Sequence, residues 1–135
     1  MIMFNDLIGA PFVNKGRDIN TGFDCYGLVK EVFKRYGHNI PEYDDYAHYN
    51  DMCRINELIS GNARHYPWKE IKEPKVPCLI AIRFGSPEGI VNHTAVYIGD
   101  GQFIHTRERI GVNIDRIDSP AWNRVIVGFY EYVGD

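Results

Sequence analysis

The sequence predicts an α+β fold in which helices come first and an antiparallel sheet follows. Before about residue 61 the apolar residues recur with the helical period, and from Val76 onward they form short runs bounded by Gly, Pro and Asp, as in strands. Runs of helices followed by runs of strands are typical of α+β domains. We therefore expect N-terminal helices packed on a C-terminal antiparallel sheet of about five strands.

Length and composition fit this class. The chain has 135 residues, of which 44% are hydrophobic, and this suits one domain over residues 1–135 with a single core. The formal net charge is −3 and Lys and Arg are scattered, which gives no reason to expect nucleic acid or an anionic membrane as a partner. Residues 1–10 lack the features of a signal peptide, and no apolar stretch approaches the roughly 18 residues of a spanning helix. We expect cytoplasmic synthesis without a signal peptide, and no membrane partner.

The first predicted helix runs from Asp24 to Tyr36, with Asp24 capping its start and Gly37 ending it. A second helix is predicted from about Asp51 to Ser60, with Gly61 just past its end. The residues expected to face inward are Leu28, Val29, Val32, Phe33 and Tyr36 in the first helix, and Met52, Ile55, Leu58 and Ile59 in the second.

Five strands are predicted in the second half of the chain, each a short apolar run between turn residues. They are Cys78 to Phe84, His93 to Gly99, Gln102 to Arg107, Val112 to Ile117 and Val125 to Tyr132.

The three cysteines form no C-x-x-C pair, which suits a reducing compartment. Cys25 alone lies at a predicted helix start, where unpaired backbone N–H groups and the helix dipole lower the pKa of a thiol and can bind an oxyanion. Its position alone fits a buried thiol equally well. Gly27, in the first turn, costs about 1 kcal/mol relative to Ala, which a close approach of substrate or neighbouring backbone would explain. We predict Cys25 as the nucleophile, and Cys53 and Cys78 as structural.

His93 and His105 flank the turn sequence Gly99-Asp100-Gly101. A two-residue loop of Asp100 and Gly101 would put the two imidazoles on opposite faces of the sheet. A three-residue loop would pair Ala95 with His105 and make His93 its diagonal neighbour on one face. We predict this second register, in which His93 is the general base and His105 orients it.

The remaining histidines, His38, His48 and His65, are assigned to surface or turn positions. A zinc site formed by Cys53, His48 and His65 matches none of the compact ligand spacings. No metal and no cofactor is predicted.

These residues resemble the NlpC/p60 superfamily of papain-like cell-wall cysteine peptidases, over nearly the whole chain. The most specific motif is Asp24-Cys25-Tyr26-Gly27 together with the separation of His93 from His105. The other segments that carry the resemblance are Gly9 to Phe12 with Gly16, Gly37 to Pro41, His93 to Gly99, and Phe103 to His105.

The resemblance implies a papain-like fold, a catalytic triad of Cys25, His93 and His105, and hydrolysis of peptidoglycan stem peptides next to D-glutamate without a cofactor. Tyr26 follows the Cys where secreted members usually have Ser, which is similar to the versions encoded with phage tails. The resemblance therefore implies possible phage tail proteins as partners and action at the cell wall, as part of a tail or after lysis.

Two departures bear on the predicted substrate and oxyanion region, which comprises Phe12, Asp24 and Tyr26. Phe12 occupies the position of a Tyr whose hydroxyl lies near the oxyanion site in many members. The family's Pro-Gly-Asp before the first core strand is replaced by Val76-Pro77-Cys78. Two alternatives to a stem-peptide endopeptidase follow: a structural tail protein that has lost hydrolysis, and an amidase or acyltransferase that uses the same triad.

Overall fold

The main element of the fold is a six-stranded antiparallel sheet with the strand order β3-β8-β4-β5-β6-β7. The computed structural model describes residues 2–43, 45–48 and 51–134, with the side chains of all of these except Met52 and Cys53. The strands are β3 Trp68–Ile71, β4 Cys78–Ile82, β5 His93–Gly99, β6 Gln102–Arg107, β7 Gly111–Arg116 and β8 Ile126–Tyr132. A separate two-stranded sheet pairs β1 Arg17–Asp18 with β2 Gly22–Phe23.

The α+β prediction is confirmed, with six strands in place of about five. The strand of this sheet that was not predicted is β3, an edge strand of four residues that pairs with β8; the two-residue strands β1 and β2 of the small sheet were not predicted either. Two residues of β3, Lys69 and Glu70, are exposed charges, so this strand carries little of the apolar signal of a strand. The predicted bounds of β5 and β6 are those of the structure.

Helix α1, Cys25–Arg35, packs its apolar face against β5 and β6. Asp24 caps its start by accepting a hydrogen bond from the backbone N–H of Gly27 at 2.8 Å. At the other end Gly37 has a φ of 89°, and the N–H of His38 returns to the carbonyl of Phe33 at 2.9 Å. Both predicted helix ends are therefore confirmed.

Helix α2, Met52–Ala63, is longer than predicted, because it continues through Gly61. The buried side chain of Ala63 extends the packing of this helix beyond Gly61, and this contact outweighs the low helix propensity of glycine. The predicted packing of Cys53 lies outside the described side chains. A short helix that the sequence did not predict, α3 Pro120–Asn123, precedes β8. None of the helices described is long and apolar enough to span a membrane.

The core has two parts, one on each face of the sheet. On the helix side, α1 and α2 cover Leu79, Val96 and Ile104. On the other side a smaller cluster contains Ile80, Ile82, Ala95, Phe103 and Trp122. Because side chains alternate along a strand, His93 and His105 lie on the side of Ala95 and Phe103.

The turn between β5 and β6 has a geometry that the sequence analysis did not foresee. Gly99 pairs with Gln102 around Asp100 and Gly101, so the loop has two residues, and both have a positive φ. The next pairs are Tyr97 with Phe103 and Val96 with Ile104, which leaves Ile98 as a bulge. The prediction of a three-residue loop is wrong. The bulge nevertheless shifts the register by one residue and sets Ala95 opposite His105.

Gly27 is required by the packing of α1 on a neighbouring backbone. A Cβ atom at this position would overlap the carbonyl oxygen of Gly16, which is a backbone atom and cannot turn away as the end of a flexible side chain can. Of the two explanations that the sequence allowed, the close approach of backbone is therefore the one that the structure supports.

We expect Gly27→Ala to lower the free energy of unfolding by about 1–3 kcal/mol, because the added methyl group forces backbone to move. Urea unfolding followed by circular dichroism measures this change.

Gly61→Ala is the matched control. It is the same substitution inside a helix, at a position with no heavy atom within 4 Å of the added methyl group. We expect it to raise the free energy of unfolding by about 1 kcal/mol through helix propensity alone. Equal effects of the two substitutions would contradict the role given to the Gly16 contact.

Candidate active site

A cavity of about 270 Å³ opens between the start of α1, helix α2 and the rim of the sheet. Five of the six predicted site residues line it: Phe12, Asp24, Cys25, Tyr26 and His93. The sixth, His105, lies behind His93 and is buried. The start of α1 and the start of β5 therefore bring the predicted nucleophile and the predicted base to one cavity.

The two histidines are hydrogen-bonded to each other. Nε2 of His93 lies 2.8 Å from Nδ1 of His105, and the two side chains are 4% and 0% exposed. This contact depends on the bulge at Ile98, because only the shifted register makes His93 the diagonal neighbour of His105 on one face. The predicted placement of the two imidazoles is confirmed by a route other than the predicted loop.

A third polar side chain continues the row, and the sequence analysis did not predict it. Oδ2 of Asp115, on β7, lies 2.8 Å from Nε2 of His105 and accepts a hydrogen bond from the amide of Asn113 at 2.9 Å. His105 pairs with Asn113 across the two strands, and Asp115 is the diagonal neighbour. His93, His105 and Asp115 thus form one line across three adjacent strands.

This line determines which ring nitrogen carries each proton. An ionised carboxylate only accepts hydrogen bonds, so Nε2 of a neutral His105 carries the proton and donates it to Asp115. Nδ1 of His105 is then an acceptor, and Nε2 of His93 must donate to it. Nδ1 of His93 is left with a free lone pair, which is the state that a general base requires.

Burial keeps the pair neutral at rest. Trp122 stands edge-on to His105 with ring centroids 4.8 Å apart, and Phe84 stacks on Trp122 at 5.4 Å. Burial holds the pKa of His93 well below 6.5, and repulsion of a protonated His93 by His105 and by the Arg107 charge adds to this effect. The pKa of His105 is lowered by burial too, although its hydrogen bond to Asp115 offsets part of the effect.

The thiol of Cys25 differs from the expectation of a depressed pKa. Burial, together with the charge of Asp24, raises the pKa of Cys25 to about 11, and contacts with Thr94 on β5 offset only part of this rise. One of the N–H groups of the first turn, that of Gly27, is taken by the Asp24 carboxylate and cannot stabilise a thiolate. The resting pair is therefore a neutral thiol and a neutral imidazole.

Asp24 serves as a structural anchor in this arrangement. Its carboxylate accepts hydrogen bonds from Gly27 N–H at 2.8 Å, from Lys15 N–H at 3.1 Å and from the hydroxyl of Tyr46, and it pairs with Arg17 at 2.7 Å. All of its strong acceptor positions are filled by the protein. Asp24 therefore lies in the predicted substrate and oxyanion region, but its carboxylate is already bound by other residues of the protein.

Tyr26 and Phe12 contribute walls to the cavity. The hydroxyl of Tyr26 donates to the carbonyl of Pro41 at 2.6 Å, which directs it away from the thiol. Phe12 forms a single bridge with Phe23, next to the cap of α1. Within residues 2–43, 45–48 and 51–134, Met52 and Cys53 side chains aside, no group of three His, Cys, Asp or Glu side chains is placed to hold a metal ion.

Three residues near the histidines were not identified from sequence: Asp115, Trp122 and Arg107. Asp115 could have been predicted from the sequence. Asn113 and Asp115 alternate with apolar residues, and the turn after Arg107 places them beside His105. Trp122 could not, since its helix has only four residues. Its contact with the histidines arises from tertiary packing.

A thiol at a helix start and a histidine oriented by a second polar side chain define the class of papain-like cysteine hydrolases. The sequence model of the NlpC/P60 family matches residues 9–131, and the chain belongs to that family. Members of the family are cysteine-type cell-wall peptidases.

Similar proteins include a gamma-D-glutamyl-L-lysine dipeptidyl-peptidase of Bacillus cereus, 26% identical over 93% of this chain and 33% of the relative. Murein DD-endopeptidase MepH of Escherichia coli is 29% identical over 90% of this chain and 40% of the relative. The crystal structure of an NlpC/P60 family protein from B. cereus superposes with a TM-score of 0.67 at 26% identity, over 94% of this chain and 37% of that one. The chain thus spans a third to two fifths of the length of these relatives.

We expect Asp115→Asn to slow the alkylation of Cys25 by iodoacetamide at pH 7 at least about tenfold. The amide of Asn can donate to Nε2 of His105, which reverses both protons in the line and leaves Nδ1 of His93 protonated. ¹⁵N NMR of the ring nitrogens reads the tautomers directly, and a purely structural role of Asp115 would not change them.

Asp118→Asn is the matched control, since it removes the same charge from an exposed residue that pairs with Arg116. It should leave both the rate and the tautomers as in the wild type. Unchanged histidine tautomers in Asp115→Asn would contradict the assignment.

Proposed function

We propose that this chain is a peptidoglycan stem-peptide endopeptidase that cuts next to D-glutamate through an acyl-enzyme. The observation that carries the proposal is the line of His93, His105 and Asp115 behind a cavity that Cys25 also lines. A base with a free lone pair beside a thiol is the requirement for nucleophilic attack on an acyl carbon.

In the proposed reaction Nδ1 of His93 takes the thiol proton while the sulfur of Cys25 attacks the scissile carbonyl carbon. The carbonyl oxygen becomes an oxyanion beside the backbone N–H groups at the start of α1. His93 then gives the proton to the leaving amine as the C–N bond breaks, and a thioester remains. Water, deprotonated by His93, hydrolyses the thioester and restores the thiol.

Asp115 has a positioning role in this proposal, since it touches neither the substrate nor the sulfur. When His93 becomes an imidazolium, His105 and Asp115 stabilise the charge at the far end of the line. Phe12 has no hydroxyl, so oxyanion stabilisation rests on the backbone donors.

The choice of substrate is supported by the relatives. One is named for a gamma-D-glutamyl-L-lysine bond and another for the DD bond of murein, so the family acts on more than one peptidoglycan linkage. The bond next to D-glutamate is the one that the resemblance of the Asp24-Cys25 motif implies.

The test is digestion of purified muropeptides followed by mass spectrometry. We expect cleavage after D-glutamate by the wild type, and a loss of at least about 10³-fold in Cys25→Ala, because the thioester cannot form. The rate of cleavage should be steady near neutral pH and fall only in acid, where the pH passes through the low pKa of His93. It falls there because a protonated imidazole cannot accept the thiol proton.

Cys78→Ala is the control for loss of a thiol, because Cys78 is buried at the start of β4, outside the cavity. It should keep its activity. Cys25-dependent release at a different bond would favour the amidase or acyltransferase alternative. Intact muropeptides with folded wild-type protein would favour the structural tail protein.

We further propose that the protein acts at the cell wall as a component of a phage or prophage tail. The supporting feature is Tyr26, the aromatic residue after the nucleophile, which is buried and bound to Pro41 where a small Ser would leave space. Peptide mass spectrometry of purified virions should find the chain among the tail proteins, and its absence from them would contradict this location.

A further inference from the structure

Arg107, the last residue of β6, brings a positive charge to the cavity, which the acidic residues Asp24 and Glu108 also line. It lies two residues after His105, on the same face of the strand, and lines the cavity with Cys25 and His93. Its guanidinium lies over the rings of Phe84 at 5.4 Å and Trp122 at 5.5 Å. The two rings hold the side chain in a fixed position beside the histidine pair.

Among the residues that the structure describes, no acidic side chain forms an ion pair with this charge. The Nε of Arg107 is buried and has no hydrogen-bond partner among those residues. Arg17, by contrast, is paired with both Asp24 and Glu42. Of the described residues that line the cavity, only Arg107 carries a positive charge. Because an unpaired half-buried cation is unfavourable, an anionic group of a ligand is the natural partner.

The chemistry of a γ-glutamyl bond supplies such a group. When glutamate is linked through its side-chain carboxyl, its α-carboxylate stays free, a short distance along the residue from the scissile carbonyl. A guanidinium presents a planar pair of donors that matches a carboxylate. Cys25 and Arg107 line the same cavity, so one glutamyl residue can present its carbonyl to the first and its carboxylate to the second.

We propose that Arg107 binds the α-carboxylate of the γ-linked glutamyl residue and selects it over the α-carboxamide. The inference rests on the proposed function, because it assigns a role to one residue in that substrate's site.

The first experiment measures binding with Cys25→Ala, which is unable to form the thioester. Isothermal titration calorimetry compares the dipeptide L-Ala-γ-D-Glu with the same dipeptide carrying an α-carboxamide. We expect the acid to bind at least about tenfold more tightly, as a charged bidentate hydrogen bond provides. Adding Arg107→Met to the same protein should remove this preference, and Arg107→Lys should keep part of it.

Arg109→Met is the matched control, because Arg109 lies in the exposed turn after β6 and does not line the cavity. It should keep the full preference for the acid. Thermal unfolding of each variant reports whether Arg107→Met is folded. The comparison of the two dipeptides in the protein that retains Arg107 does not depend on the folding of that variant.

The second experiment measures kcat/KM of the enzyme with intact Cys25 on the acid and amide forms of L-Ala-γ-D-Glu-L-Lys. A preference for the acid that Arg107→Met removes supports the inference. Equal binding of the two dipeptides overturns it, whatever the turnover. Tight binding of the acid without turnover would instead overturn the proposed function and leave the Arg107 site supported.

Discussion

The buried carboxylate of Asp24 is the interaction on which the position of the nucleophile depends. It is 1% exposed, and it joins the first turn of α1 to the segment that carries Lys15 and Arg17 and to Tyr46, another residue of the cavity wall. A buried charge is stable only when its acceptors are filled and an opposite charge lies beside it, and Arg17 provides that charge. The helix therefore begins at Cys25 because its cap is fixed from three directions.

Burial acts on the two reacting groups in opposite directions. It raises the pKa of the Cys25 thiol and lowers that of His93, so both are neutral before substrate binds. Charge separation in such a site needs a stabiliser that is already in place. Asp115 meets this requirement through His105. At rest it fixes which ring nitrogens carry protons, and when His93 becomes an imidazolium its negative charge stabilises that cation through His105.

Much of the fold could be predicted from sequence, because its signals are local. The cap at Asp24, the end at Gly37 and the bounds of β5 and β6 follow from turn residues and period. The bulge at Ile98 could not be predicted, since it depends on how the hairpin twists against its neighbours. The raised pKa of Cys25 was missed for a related reason: the helix start indicates a low value, while the burial that decides it comes from distant parts of the chain.

The bulge at Ile98 has a consequence for the length of the hairpin. Side chains of a strand alternate between the two faces of the sheet. The single extra residue at Ile98 places His105 on β6 on the same face as His93 on β5. Any natural or engineered exchange of this turn must therefore keep Ala95 opposite His105. If a turn with one additional residue kept the bulge and still closed with two loop residues, the pairing would slip by one residue and the imidazole of His105 would turn to the helix side of the sheet. Among related sequences, the length of this turn and the presence of the bulge should therefore vary together.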